Sequence, residues 1–247
     1  MTLFFLDENN VSFPSPKIAE PDGLLALGGD LSVERLLVAY MAGIFPWYAK
    51  GDPILWWSPD PRLILIPDNV HVPRRLRRTL NQGIFAFTMD TAFNDVITSC
   101  ARVRNDSREG TWIVAEMIDA YNQLHEAGYA HSVEAWQADR LVGGLYGLSL
   151  GSCFFGESMF TTVSNASKAA FVALAEFLAG NGFAMIDCQV TTSHLQRFGA
   201  EEIPRDEFLD MLEACVAEPT WKGRWRFDMK AGDCVREYRN HNIKECQ

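Results

Sequence analysis

Gly156-Glu157-Ser158-Met159-Phe160, Asn165-Ala166-Ser167-Lys168 and Ile186-Asp187-Cys188-Gln189 frame the run Ala169-Ala170-Phe171-Val172-Ala173-Leu174-Ala175-Glu176-Phe177-Leu178. That run is too long and Ala-rich for a strand and is apolar nearly all round, so it reads as a buried helix. Its flanks, Cys153 to Met159 and Phe183 to Cys188, read as two interior strands. Interior strands should be apolar, yet one carries Glu157 and the other Asp187. Buried carboxylates cost free energy unless they are paired or used. Two of them flanking one core helix are the strongest site signal in the chain.

A chain of 247 residues holds one large domain or two modest ones. Hydrophobic content of 48%, with 12% aromatic, supplies a large core. Apolar runs fall short of the roughly eighteen residues that span a membrane. The start, Met1 to Glu8, has no basic n-region and too short an apolar run for a signal peptide. The six cysteines are scattered without a Cys-x-x-Cys pair, so free thiols in a reducing cytoplasm are expected. A net charge of −10 argues against a general nucleic-acid binder, while leaving room for a local basic patch or an acidic pocket for a basic substrate.

Residues 12 to 32, punctuated by Pro14, Pro16, Pro21, Gly23, Gly28 and Gly29, read as an ordered loop segment. Ser32 caps a helix from Val33 to about Ala42, ended by Gly43. The aromatic surface of Phe45-Pro46-Trp47-Tyr48 and Trp56-Trp57 must pack on another domain or line a groove. A boundary near Pro61 therefore divides a small N-terminal domain, residues 1–61, from a larger one, residues 62–247. In the larger part, Leu63 to Ile66 and Phe85 to Met89 read as strands. Thr91 to Arg102 and Glu116 to Ala127 read as helices, separated by a charged loop from Arg102 to Gly110. Tyr129 to Gln137 and Leu141 to Ser149 form a hairpin. A last helix runs from Arg205 to Val216, and the tail beyond is polar, its last dozen residues expected to lack order. This order makes an α+β layer of helices on a mixed sheet, compatible with the acetyltransferase-like (GNAT) fold.

Each candidate site residue has a plain structural alternative. Asp187 and Gln189, two apart on a strand end, suit a carboxylate and an amide holding one reacting group, or a polar strand terminus capped by backbone. Glu157 is a site carboxylate or the salt-bridge partner of a cation such as Lys168. Alternation in an unbroken strand sets Glu157 opposite Phe154, unless a bulge at Gly156 intervenes. Trp47, Trp56, Trp57 and Trp112 are core or interface residues, though Trp47 and Trp112 sit beside loops where an indole can stack on a base. Arg74, Arg75, Arg77 and Arg78 make a solvated face or a grip on phosphates. His125 and His131 are six apart with Gly128 between them, which fails the spacing for a zinc helix. Gly143, Gly144, Gly147 and Gly151 match no phosphate loop and mark a bulge or a close backbone approach.

Several long strings resemble the leucyl/phenylalanyl-tRNA–protein transferase family: Gly23-Leu24-Leu25-Ala26-Leu27-Gly28-Gly29-Asp30-Leu31, Gly43-Ile44-Phe45-Pro46-Trp47, Trp56-Trp57-Ser58-Pro59-Asp60-Pro61-Arg62 and Glu109-Gly110-Thr111-Trp112-Ile113. Gly156 to Phe160 and Ile186 to Val190 resemble it too. The resemblance implies a small N-terminal domain on a GNAT-like domain, and transfer of Leu, Phe or, less well, Met from aminoacyl-tRNA to proteins beginning with Arg or Lys. The product would be a degradation signal of the N-end rule kind. The resemblance puts the terminal adenosine at Trp47 and Trp112, with Tyr40 and Tyr121 close by. It lines the side-chain pocket with Leu145, Phe154, Leu174, Leu178 and Ile186, and gives the polar roles to Asp187, Gln189 and Glu157. The donor ester is already activated, so no cofactor and no metal is expected. A cytoplasmic monomer is expected. An acyl-CoA-dependent GNAT enzyme is the main alternative, but Thr161-Thr162-Val163-Ser164-Asn165 stands where its pyrophosphate turn would be. A non-catalytic tRNA-binding protein is the other.

Overall fold

A computed structural model describes residues 4–7, 10–105 and 112–227. Its strands form two sheets. The first joins β1 (Phe4–Leu6), β2 (Leu24–Gly28), β3 (Phe45–Pro46) and β4 (Leu55–Trp57) in the order β1-β2-β4-β3, with α1 (Val33–Met41) between β2 and β3. The chain changes sheet between Trp57 and Arg62. Next come β5 (Arg62–Leu65), α2 (Arg74–Asn81), β6 (Ala86–Met89), α3 (Phe93–Asn105) and α4 (Ala115–Glu126). The long hairpin is β7 (Ala130–Gln137) and β8 (Arg140–Leu150). The Ala-rich helix and its flanking strands are β9 (Cys153–Thr161), α5 (Ala166–Gly180) and β10 (Met185–Gln189). The chain closes with α6 (Ser193–Gln196), β11 (Glu201–Ile203) and α7 (Arg205–Val216).

The second sheet runs β11-β5-β10-β9-β8-β7-β6. Its β9 and β10 are parallel, joined across α5, and its other neighbours are antiparallel. Strand side chains alternate between two covered faces. Tyr146, Leu148, Phe155 and Met185 pack with α1, α3, α4 and α7. Leu145, Phe154, Val133 and Ile186 pack with α5 and with Leu76 of α2. Burial on both faces explains why β8 and β9 read as apolar runs rather than as alternating strands. Helix α5 is apolar around most of its girth, and ten of its residues are buried. Gly143 permits its approach: a Cβ there would stand 2.6 Å from the Cβ of Ala166.

Two expectations are corrected, and one stretch gains an element. The segment 12–32 is not all loop, because Leu24–Gly28 pairs with β1 and β4 and buries Leu25 and Ala26. Its strand is short and bracketed by Gly23 and Gly28, both at positive φ, which made it look like punctuation. The arginine run, assigned no element from its sequence, lies on a helix, α2, with Leu76 buried and Leu80 one turn on packed against the same core. The tail is not uniformly polar and open: Trp225 is fully buried. The expectation for its last dozen residues, like Glu109-Gly110-Thr111 of the matched string, lies outside the described residues.

Candidate active site

Strands β9 and β10 pair at Met185 with Cys153, Ile186 with Phe154, and Asp187 with Phe155. Beyond Phe155, β9 runs on to Thr161 without β10 beside it. Gln189 takes the left-handed conformation (φ 63°) and the β5–β10 register shifts between Asp187 and Gln189. A second irregularity sets Gly147 against Gly156 and Tyr146 against Ser158, leaving Glu157 as the extra residue. The bulge anticipated near Gly156 is therefore present. Between the parted strands lies a cavity of about 300 Å³.

Leu145, Phe154, Leu174 and Ile186 line this cavity, joined by Phe171, Met159 and Cys188. Leu178 does not; it is fully buried one turn further along α5, where the helix has passed the cavity. Glu157 and Gln189 form the polar wall. Trp47 and Trp112 stand at the edge and also line a larger groove of about 1670 Å³ with Tyr48, Lys50, Trp57, Glu116 and Asp119. Trp47 is 42% exposed and tilts against Trp57.

Glu157 is held from below. Tyr40 donates to its Oε1 at 2.6 Å, Tyr121 to its Oε2 at 3.1 Å, and the Gln189 amide to Oε1 at 2.7 Å. The two tyrosine hydroxyls also lie within bonding distance of each other, and with one proton apiece they share two donors among the three contacts. Both tyrosines are fully buried and line neither space, because their hydroxyls are committed to Glu157. They support the carboxylate rather than face the groove. Burial pushes Glu157 up to about 7, against the hydrogen bonds, which favour the charged form. The nearby charge of Asp187 adds to the rise. Burial and Glu157 also drive both tyrosines well above their usual range, so they stay protonated donors.

Asp187 sits elsewhere. It is fully buried, does not line the cavity, and forms a two-point ion pair with Arg62 (Nε to Oδ1 2.8 Å, Nη2 to Oδ2 2.6 Å). Its Oδ1 accepts the backbone N–H of Gln189 at 2.9 Å, the cap that the plain reading envisaged. Arg62 lies between the rings of Phe45 and Phe208, 4.9 and 4.5 Å from their centroids. The structure thus separates Asp187 from the site by one residue and links it to the site through Gln189. Arg62 closes the Trp56-to-Arg62 string, but no spacing rule connects it to a residue 125 positions away.

His194 is a further cavity residue that the sequence did not single out. Its Nε2 is buried without a hydrogen-bond partner among the described residues. His125 and His131 are used otherwise, bonding the carbonyl of Ala130 and the carboxylate of Asp90. Arg74, Arg75 and Arg78 are exposed on α2.

Comparison with known proteins gives a family. Residues 64–213 match the model described as leucyl/phenylalanyl-tRNA protein transferase, and residues 29–60 match the N-terminal domain of the same family. The protein of that name from Desulfatibacillum aliphaticivorans is 60% identical over 232 residues, 94% of this chain and 99% of the relative. The Myxococcus xanthus protein is 56% identical over 226 residues, 91% of this chain and 97% of the relative. Among solved structures, the chain aligns with L-PGS from Bacillus licheniformis at 10% identity and a TM-score of 0.39, over 81% of this chain and 65% of that one. The sequence matches place the chain among the aminoacyltransferases. It belongs to the leucyl/phenylalanyl-tRNA–protein transferase family. This assignment displaces the acyl-CoA and non-catalytic alternatives.

The raised pKa of Glu157 has a consequence for stability. Its folded value, about 7, lies above the ordinary 4.5, so the folded protein holds this proton more tightly than the unfolded chain. The contribution is full below the unfolded value and is lost as pH rises through about 7. Complete ionisation costs about 3 kcal/mol. Glu157→Gln removes that dependence, so urea unfolding of variant and parent should diverge in the variant's favour between pH 4.5 and 8. A stability difference that stays flat with pH would show that Glu157 titrates normally.

Proposed function

We propose that this aminoacyltransferase moves Leu, Phe and, less well, Met from aminoacyl-tRNA to the N-terminus of proteins that begin with Arg or Lys, marking them for degradation. The cavity takes the carried side chain. Its apolar lining, with a carboxylate and an amide together at one wall, is the observation that carries this reading. Trp47 and Trp112, shared with the adjoining groove, stack on the terminal adenosine. The acceptor's α-amine attacks the ester carbonyl beside Glu157 and Gln189. A carbon–nitrogen bond forms, the ester carbon–oxygen bond breaks, and the amine's proton passes to the leaving ribose hydroxyl.

Glu157 is the better base. An α-amine titrates near 7.7–8.0, and a carboxylate raised to about 7 is matched to it. The same charge draws the basic N-terminal residue. Asp187 is a positioning residue: its charge is neutralised by Arg62, and it holds the backbone of Gln189. The ester is activated, so positioning supplies most of the rate and no cofactor takes part. The larger sheet with its helices is read as GNAT-like, residues 1–61 as the small domain and 62–247 as the catalytic one. A cytoplasmic monomer fits the reading. Among the described residues, no helix is long and apolar enough to cross a membrane.

Phosphate contacts position a nucleic acid without reading its sequence. Arg74 and Arg78, one turn apart on exposed α2, with Arg75 and Arg77, give an otherwise acidic chain its grip on the tRNA body.

The test is direct. Labelled Phe-tRNA and an Arg-starting peptide, mixed with the enzyme without CoA, should give labelled peptide; an unlabelled peptide would sink the proposal. Arg74→Ala with Arg78→Ala should weaken tRNA binding and flatten the log–log salt slope by roughly 1.5–2. An aminoacyl-adenosine donor should be used equally well by variant and parent. Loss of that minimal donor as well would remove α2 from the tRNA face.

A further inference from the structure

The family match ends at residue 213, yet the chain beyond α7 is fastened to the sheet. Gly151 donates its N–H to Thr220 Oγ1 at 2.9 Å, and Gly223 donates to the carbonyl of Gly128 at 3.1 Å. Trp225 donates its backbone N–H to Asp90 Oδ2 at 2.7 Å. Asp90 also receives His131 Nδ1 and the N–H of Ser132, both at 2.8 Å. One buried carboxylate thus ties the tail to β7. Residues 217–227 have no helix or strand of their own. Ordering such a segment has an entropic cost that its contacts must exceed.

Most of those contacts converge on the Trp225 indole. It stacks on His131 with centroids 3.7 Å apart and planes 8° from parallel. Phe177, Phe183 and Trp221 lie within 5.7 Å of it. Phe154, a wall of the cavity, lies 6.1 Å away. Trp225 is fully buried and does not itself line the cavity, so it backs Phe154 from behind. On another side of that ring is Gly147, where a Cβ would stand 2.7 Å from Phe154 Cε1 and Cζ. The Phe154 ring lies close against bare backbone at β8 and pairs, tilted by 39°, with Trp225. Interiors this close-packed do not let a ring shift without a void behind it.

We infer that Trp225 is a specificity-determining positioning residue, fixing through Phe154 the depth of the cavity and hence the size of amino acid transferred. The inference rests on the proposed reading of the cavity as the side-chain pocket. Removing bulk behind Phe154 lets the ring retreat, which lengthens the pocket and favours the longer donor. A merely structural role for Trp225 would lower transfer of every donor alike.

The experiment compares kcat/KM for Leu- and Phe-adenosine donors, which lack a tRNA body, with an Arg-starting peptide as acceptor, at a temperature well below each variant's Tm. Trp225→Leu should raise the Phe-to-Leu ratio about 10-fold, in line with the discrimination of one methylene. Trp225→Phe, which keeps a ring in place, should raise it less, and decides the matter if the leucine variant does not fold. A ratio unchanged in both variants, with rates reduced equally, overturns the inference. Phe154→Leu separates the two levels. If it shifts the ratio while the Trp225 variants do not, Trp225 alone is excluded; if it too leaves the ratio unchanged, the side-chain-pocket reading falls and the inference with it.

Discussion

The ion pair of Arg62 and Asp187 is the constraint on which the site depends. Both side chains are fully buried, and a buried pair offsets its desolvation only with good geometry and satisfied neighbours. Here the guanidinium meets the carboxylate at two points and lies between Phe45 and Phe208. Those rings come from β3 in the first sheet and from α7, so one cation joins three separate parts of the chain. On the other side, Asp187 fixes the N–H of Gln189 where β10 leaves the sheet. Gln189 then turns its amide to Glu157. Removing one partner would leave an uncompensated buried charge, which for such pairs costs about 3–5 kcal/mol.

The parting of β9 and β10 does two things together. It opens apolar space between Phe154, Ile186 and α5, and it leaves Glu157 bulged against two tyrosines from the opposite face. The apolar side is walled by Leu145, Phe154, Leu174 and Ile186; the polar side carries a carboxyl that burial has made easy to protonate. Two buried carboxylates in neighbouring strands are thereby given different environments. Asp187 has a permanent cation, whereas the donors to Glu157 among the described residues are neutral.

Much of this was legible in the residues. The Ala-rich helix, its two flanking strands, the hairpin and the Arg205–Val216 helix followed from length and period. Glu157 and Asp187 stood out because charge in an apolar strand is unusual. Their division of labour was not legible. Local alternation predicts that Asp187 and Gln189 share a face, but a register shift and a positive φ break it. The partner of Asp187 lies far back in the chain, and the tyrosines that hold Glu157 come from α1 and α4. Such pairings depend on tertiary contact, which no short window contains. Trp225 was hidden for the same reason: Trp221, Trp225 and Phe227 belong to no helix or strand, and the burial of Trp225 depends on Asp90 and His131.

The central claim is that Glu157, rather than Asp187, takes the proton of the acceptor amine. The measurement is the pH dependence of transfer from an aminoacyl-adenosine to an Arg-starting peptide, under subsaturating conditions, for the parent, Glu157→Gln and Asp187→Asn. Below the pKa of both carboxyl and amine, the parent's log rate should rise with a slope of about 2, one for each proton lost. Glu157→Gln should reduce that slope to about 1. Asp187→Asn should lower the rate and keep the slope near 2. A slope that falls in Asp187→Asn and persists in Glu157→Gln would contradict the account and return the proton to Asp187.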